Sequence, residues 1–71
     1  RAQEETQLEF NEILKTYETM SAKKAAAILM EMSESEALRI MSSMKSNTLT
    51  AIFEKMEPAD AARYTELLAE Q

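Results

Sequence analysis

Methionine recurs every twelve residues through most of the chain, and this recurrence constrains the fold more than any other feature. Four units align under one another: MSAKKAAAILME from residue 20, MSESEALRIMSS from 32, MKSNTLTAIFEK from 44 and MEPADAARYTEL from 56. In one continuous α-helix, twelve residues rotate by about 1200°, which leaves an offset of roughly 120°. The methionines would then point in three directions and form no apolar stripe. A single long helix is therefore excluded.

Each unit instead has the pattern of one short amphipathic helix. The sixth column of the alignment is Ala or Leu, the ninth is Ile or Tyr, and the second to fifth are mostly polar or small. Columns six, nine, ten and thirteen follow the spacing i, i+3, i+4 and i+7, which forms one apolar helix face. We expect a helix of about nine or ten residues in each unit, followed by a tight corner.

Helix start signals recur at the same place in the units. Ser33 is followed three residues later by a glutamate, which is the spacing of a capping box. Pro58 occupies a first helical position, where its missing N–H costs nothing. In the third unit the capping column holds Lys45, so Ser46 or Asn47 is expected to cap that helix instead.

Helices this short must stack, because isolated helices below about 12–15 residues are marginal in water. The chain has no glycine or valine and is rich in strong helix formers, so the composition also favours an all-α fold. We predict one longer, coiled-coil-like N-terminal helix followed by four short helices that stack in an array. The predicted core of the repeat consists of Ile28, Met32, Ile40, Met44, Ile52, Phe53, Met56 and Leu67.

Residues 1–20 do not show the methionine repeat and are predicted to be the end of a dimerisation helix, with the repeat domain spanning 21–71. Phe10, Ile13, Tyr17 and Met20 are spaced by 3, 4 and 3 residues, as in a coiled-coil seam. A helix of about four to five turns would carry them. Two alternatives stay open: the seam pairs with a second copy to form a homodimer, or it packs on the array of its own chain.

The sequence predicts no catalytic, cofactor or metal site. The chain contains no cysteine, histidine or glycine, so it has no ordinary nucleophile–base pair, zinc site or phosphate-binding loop. Its net charge of −5 argues against nucleic acid as a partner. We expect a protein that is not an enzyme, has no small-molecule substrate and needs no cofactor. Carboxylates near two corners suggest a solvated polar face rather than a weak Mg²⁺ or Ca²⁺ site: Glu31, Glu34, Glu36, Glu54, Glu57 and Asp60.

Units such as MSAKKAAAILMEM and MEPADAARYTELL resemble the short-helix repeat of the cytosolic N-terminal domain of MgtE magnesium transporters, which also occurs in the flagellar rotor protein FliG. The seam helix followed by four units most resembles the flagellar motility protein MotE and its FlbB relatives. The resemblance covers Met20 to about Leu68 and implies that the array is right-handed. Only one corner carries the proline that is frequent in these families, and the third unit has Leu49-Thr50 in place of Ala-Ala.

The resemblance to the motility proteins implies a non-enzymatic, dimeric chaperone or scaffold of the bacterial flagellar motor. Such a protein presents its array to a motor or stator-scaffold component, lies in the periplasm and is tethered to the inner membrane by a segment upstream. The resemblance to the transporters implies the alternative, a cytoplasmic regulatory domain of a magnesium transporter.

Overall fold

The computed structural model describes residues 9–70, which form five α-helices and no strand. They are α1 (Phe10–Thr19), α2 (Ala22–Glu31), α3 (Glu34–Ser42), α4 (Ser46–Lys55) and α5 (Pro58–Ala69). The predicted all-α class and the short-helix array are confirmed. The part of the predicted N-terminal helix in residues 1–8 lies outside the described residues.

The helices begin at a constant interval. Their N-cap residues are Glu9, Ser21, Ser33, Lys45 and Glu57, each twelve residues after the last. The first helix therefore follows the same interval as the four units, although its sequence lacks the methionine pattern. It has ten residues, or about three turns, and is therefore shorter than the expected four to five turns. The helix begins only at Phe10 because the backbone at Glu9 is extended.

Three of the four corners between α1 and α5 need no glycine because the chain turns there through extended backbone. Met20 and Ser21 have ψ angles of 165° and 147°, and Met32 and Ser33 have 172° and 151°. Two successive extended residues redirect the chain without the left-handed conformation that favours glycine, and no residue in the described part of the chain has positive φ.

Serine hydroxyls cap two of the helices, one at the predicted Ser33 and one at Ser21 in the same column. Ser21 Oγ accepts the N–H of Lys24 at 3.2 Å, and Ser33 Oγ accepts the N–H of Glu36 at 3.3 Å. Helix α4 differs from the prediction. It starts at Ser46 with Lys45 as its N-cap residue, and no side-chain hydrogen bond is made from that position.

The main helix contacts join helices that are two positions apart in the chain. The most extensive helix pair is α2 with α4, followed by α3 with α5. Neighbouring helices meet at the corners, and the buried side chains form one core: Ala25, Ala26, Leu29, Ala37, Ile40, Met41, Ile52, Met56 and Tyr64. Small residues at columns six and seven, such as Ala25 and Ala26, allow the helices to approach closely.

Equivalent positions are not equally buried. In column nine, Ile28 is 39% exposed, whereas Ile40 is 7% and Ile52 is 1% exposed. In column ten, burial instead decreases along the chain: Leu29 in α2 is fully buried, whereas Phe53 in α4 is only partly buried. We infer that column nine faces the helix two positions earlier, and that column ten faces the helix two positions later.

This asymmetry corrects one predicted core residue. Ile28 lies at the surface, and the adjacent Leu29 occupies the core of α2. Of the other predicted core residues, Ile40, Ile52 and Met56 are buried. Four others are partly buried against the core: Met32, Met44, Phe53 and Leu67.

Candidate protein-interaction site

The seam residues of α1 face the array of their own chain. Phe10, Ile13, Tyr17 and Met20 are all partly buried and pack against the core. No residue of α1 is fully buried, so the helix covers the array while keeping part of each apolar side chain exposed.

A groove opens beside the end of this seam. It has a volume of about 230 Å³ and is lined by residues from the end of α1, the start of α2 and the first two turns of α4. The lining residues are Tyr17, Glu18, Met20, Ala22, Asn47, Thr48, Ala51 and Ile52. Two residues of the predicted contact set, Tyr17 and Met20, therefore border the groove.

The lining of the groove is mixed in chemistry. Tyr17 provides an aromatic ring, Glu18 a carboxylate, and Asn47 an amide at the start of α4. The amide oxygen of Asn47 accepts the N–H of Thr48 at 2.8 Å. The groove thus joins an apolar floor to one acidic and several polar groups, which is the composition of a site for an amphipathic side chain.

On one side of this groove along the array, an arginine joins α3 to α1. The guanidinium carbon of Arg39 lies 4.3 Å from the centroid of the Phe10 ring. Its Nη1 lies 3.6 Å from a carboxylate oxygen of Glu36 on the same helix. A cation over an aromatic face is attracted by the ring quadrupole. The face of the Phe10 ring is therefore already covered by a residue of its own chain.

On the other side, a second arginine joins α5 to α3. Arg63 Nε lies 3.0 Å from Glu34 on α3, and its Nη1 donates to Asp60 at 3.1 Å. Its guanidinium carbon lies 4.9 Å from the centroid of Tyr64. Hydrogen bonding to the Tyr64 side chain and attraction by Asp60 and Glu34 raise the pKa of Arg63 above its ordinary value. Since arginine is already charged at any physiological pH, the shift does not change its state.

Sequence reasoning missed both arginines and the polar half of the groove. The eighth column of the repeat reads Ala27, Arg39, Ala51, Arg63. This column is not apolar, so a search for the buried face passes over it. The alternation of alanine and arginine at an interval of 24 residues was the available signal.

The carboxylates near the corners do not form a metal centre in the part of the chain that the structure describes. No group of three or more Asp or Glu side chains between residues 9 and 70 is placed to hold an ion. Glu34 and Glu36 instead pair with Arg63 and Arg39. Within the same range, no helix has the length and apolar character needed to cross a bilayer.

Comparison with known families identifies the repeat. The family model described as the MgtE intracellular N domain matches residues 2–71. The match spans the boundary predicted between residues 20 and 21, which itself stays a prediction. No curated protein and no solved structure matches the chain significantly.

This match corrects the function expected first. A dimeric chaperone or scaffold of the flagellar motor is wrong as the leading interpretation, because the matching family is that of the transporter domain. The repeat alone does not distinguish the two functions, because motility proteins and transporters both carry it. The family description, an intracellular domain, agrees with the cytoplasmic alternative and not with a periplasmic position. The chain belongs to the family of MgtE intracellular N domains.

Proposed function

We propose that this chain is a cytoplasmic regulatory domain of an MgtE-type magnesium transporter, and that it acts by binding other protein surfaces rather than by catalysis. The observation that carries the proposal is the family match over residues 2–71. The lack of cysteine and histidine in the sequence supports a non-enzymatic role.

The proposed response to magnesium does not reside in this chain alone. Mg²⁺ demands near-ideal octahedral oxygen coordination and usually keeps several waters, so one or two protein carboxylates suffice when other groups complete the shell. Between residues 9 and 70 the carboxylates are not grouped in threes. Exposed acids such as Glu31 and Glu54 would act with ligands from another part of the transporter.

A domain exchange tests the proposal. The N domain of an MgtE-type transporter is replaced by residues 1–71, and Mg²⁺ uptake into proteoliposomes is measured at low and high internal Mg²⁺. We expect the exchanged transporter to keep a magnesium-dependent change in uptake rate. A transporter with its N domain deleted provides the control and should lose that dependence. An exchanged transporter that is folded but behaves like the deletion would contradict the proposal.

The isolated chain supplies a second measurement. Its thermal unfolding midpoint should be the same in magnesium chloride as in sodium chloride of equal ionic strength, because only screening acts on scattered surface charges. A specific rise in the midpoint with Mg²⁺ would show that the chain holds a site of its own, contrary to the shared-site proposal.

Self-association through α1 is a separate proposal. Its support is that α1 has no fully buried residue, although Ile13, Leu14 and Tyr17 are apolar and partly exposed. Pairing of two such helices would bury this remaining surface, and small domains often gain stability from a second copy. Sedimentation velocity over a wide concentration range should show a dimer, whereas a monomer at the highest concentration would rule it out.

A further inference from the structure

The two arginines occupy equivalent places in the array. Arg39 lies over Phe10, and Arg63 pairs with Glu34. In each case the arginine is in column eight of one helix, and its partner is 29 positions earlier, in column three of the helix two positions before. Each arginine also has an acid three residues before it, Glu36 or Asp60. The two sites are thus repeats of one arrangement.

The intervening helix pair, α2 with α4, lacks every member of this arrangement. The column-eight residue is Ala51, the residue 29 positions earlier is Ala22, and the position of the acid holds Thr48. All three of these residues line the groove. The groove therefore lies where the other two helix pairs place an arginine, and two alanines leave it open.

The groove offers the same two chemistries that hold the arginines within the chain. Tyr17 supplies an aromatic ring and Glu18 a carboxylate, both from α1. Within the array, the Phe10 and Tyr64 rings and the acids Glu34 and Asp60 play these parts. A volume of about 230 Å³ is below the range of about 300–1,000 Å³ that is typical of small-molecule sites. It suits one long side chain.

We propose that this groove binds an arginine side chain presented by a basic segment of a partner protein. The guanidinium would lie against Tyr17 and pair with Glu18, and its methylene stem would cover Ala22 and Ala51. Arginine fits better than lysine because its planar group both stacks on rings and pairs with carboxylates. The net charge of −5 would speed the approach of a basic partner. This inference does not depend on the transporter role.

A peptide titration tests the proposal. The probe is a short peptide of glycine and serine with one central arginine, and matched peptides carry lysine or uncharged citrulline there. Amide chemical shifts of the ¹⁵N-labelled chain report where each peptide binds. We expect shifts at Ala22, Thr48 and Ala51, with binding about tenfold weaker for citrulline because the charge-assisted hydrogen bonds are lost. Shifts confined to other surfaces, or equal binding of all three peptides, would overturn the proposal.

Two variants locate the effect. Ala51→Arg should fill the groove from within and abolish the shifts, and the fold should tolerate it because the same column holds Arg39 and Arg63. Ala27→Arg is the matched control: it adds the same charge in the same column, at an exposed position of α2. It should leave binding unchanged. Equal loss of binding in both variants would show that only net charge matters, which is contrary to the proposal.

The acid of the groove has its own test. Glu18→Gln keeps the shape of the side chain and removes its charge. We expect affinity for the arginine peptide to fall about tenfold, and affinity for the citrulline peptide to stay the same. Circular dichroism verifies that each variant is folded. Unchanged arginine binding by folded Glu18→Gln would refute the predicted pairing.

Discussion

Replacing Leu29 with alanine should lower the free energy of unfolding by about 2–5 kcal/mol, the usual cost of truncating a buried leucine. Leu29 is fully buried in the core, on the face of α2 that we assign to α4. At about 0.05–0.15 kcal/mol per residue, a chain of this length has roughly 4–10 kcal/mol of stability in total. The substitution should therefore remove much of it, and urea denaturation followed by circular dichroism measures the loss.

The adjacent residue provides the control. Ile28→Ala removes a side chain of the same composition from the next position of the same helix, but Ile28 is 39% exposed. Lost burial is partly offset by the better helix propensity of alanine, so the cost should stay below about 1 kcal/mol. Equal costs at the two positions would mean that the core lies on a different face of α2 from the one described.

The pair also shows what the sequence could and could not determine. The recurrence predicted breaks at Ser33, Lys45 and Glu57, and the structure has an N-cap residue at each. Caps and amphipathic faces are local properties, so they can be read from neighbouring residues. The burial of Ile28 is not local, because it depends on which other helices pack against α2.

The candidate site was less predictable than the fold for the same reason. Tyr17 was singled out from its seam spacing, but the groove beside it is completed by Asn47 and Thr48, about thirty residues further on. Its shape depends on Ala22 and Ala51. Their role becomes apparent only when they are compared with the residues at the same places in the neighbouring helix pairs, which include Arg39 and Arg63. An alignment of one repeat unit on the next does not show which helices face each other.

The stacking of alternate helices predicts a second large effect, at Ala25. This residue is fully buried in column six of α2. It lies four positions before column ten and so on the same side of the helix, which we assign to α4. Leucine at this position would have to displace a packed neighbour, and overpacking of this kind costs about 1–3 kcal/mol. The unfolding midpoint of Ala25→Leu in urea should fall accordingly.

Ala27→Leu is the matched control, because it makes the same change two residues away at an exposed position. Leucine and alanine are both strong helix formers, so its effect should stay within about 0.5 kcal/mol. The repeat itself accepts leucine in column six at Leu49, which is only partly buried since α4 has no described helix two positions later. The size of the residue allowed in this column thus depends on whether a helix two positions later packs against it. If Ala25→Leu were as stable as Ala27→Leu, the close approach of α2 and α4 would not exist, and the groove between them would lose its structural basis.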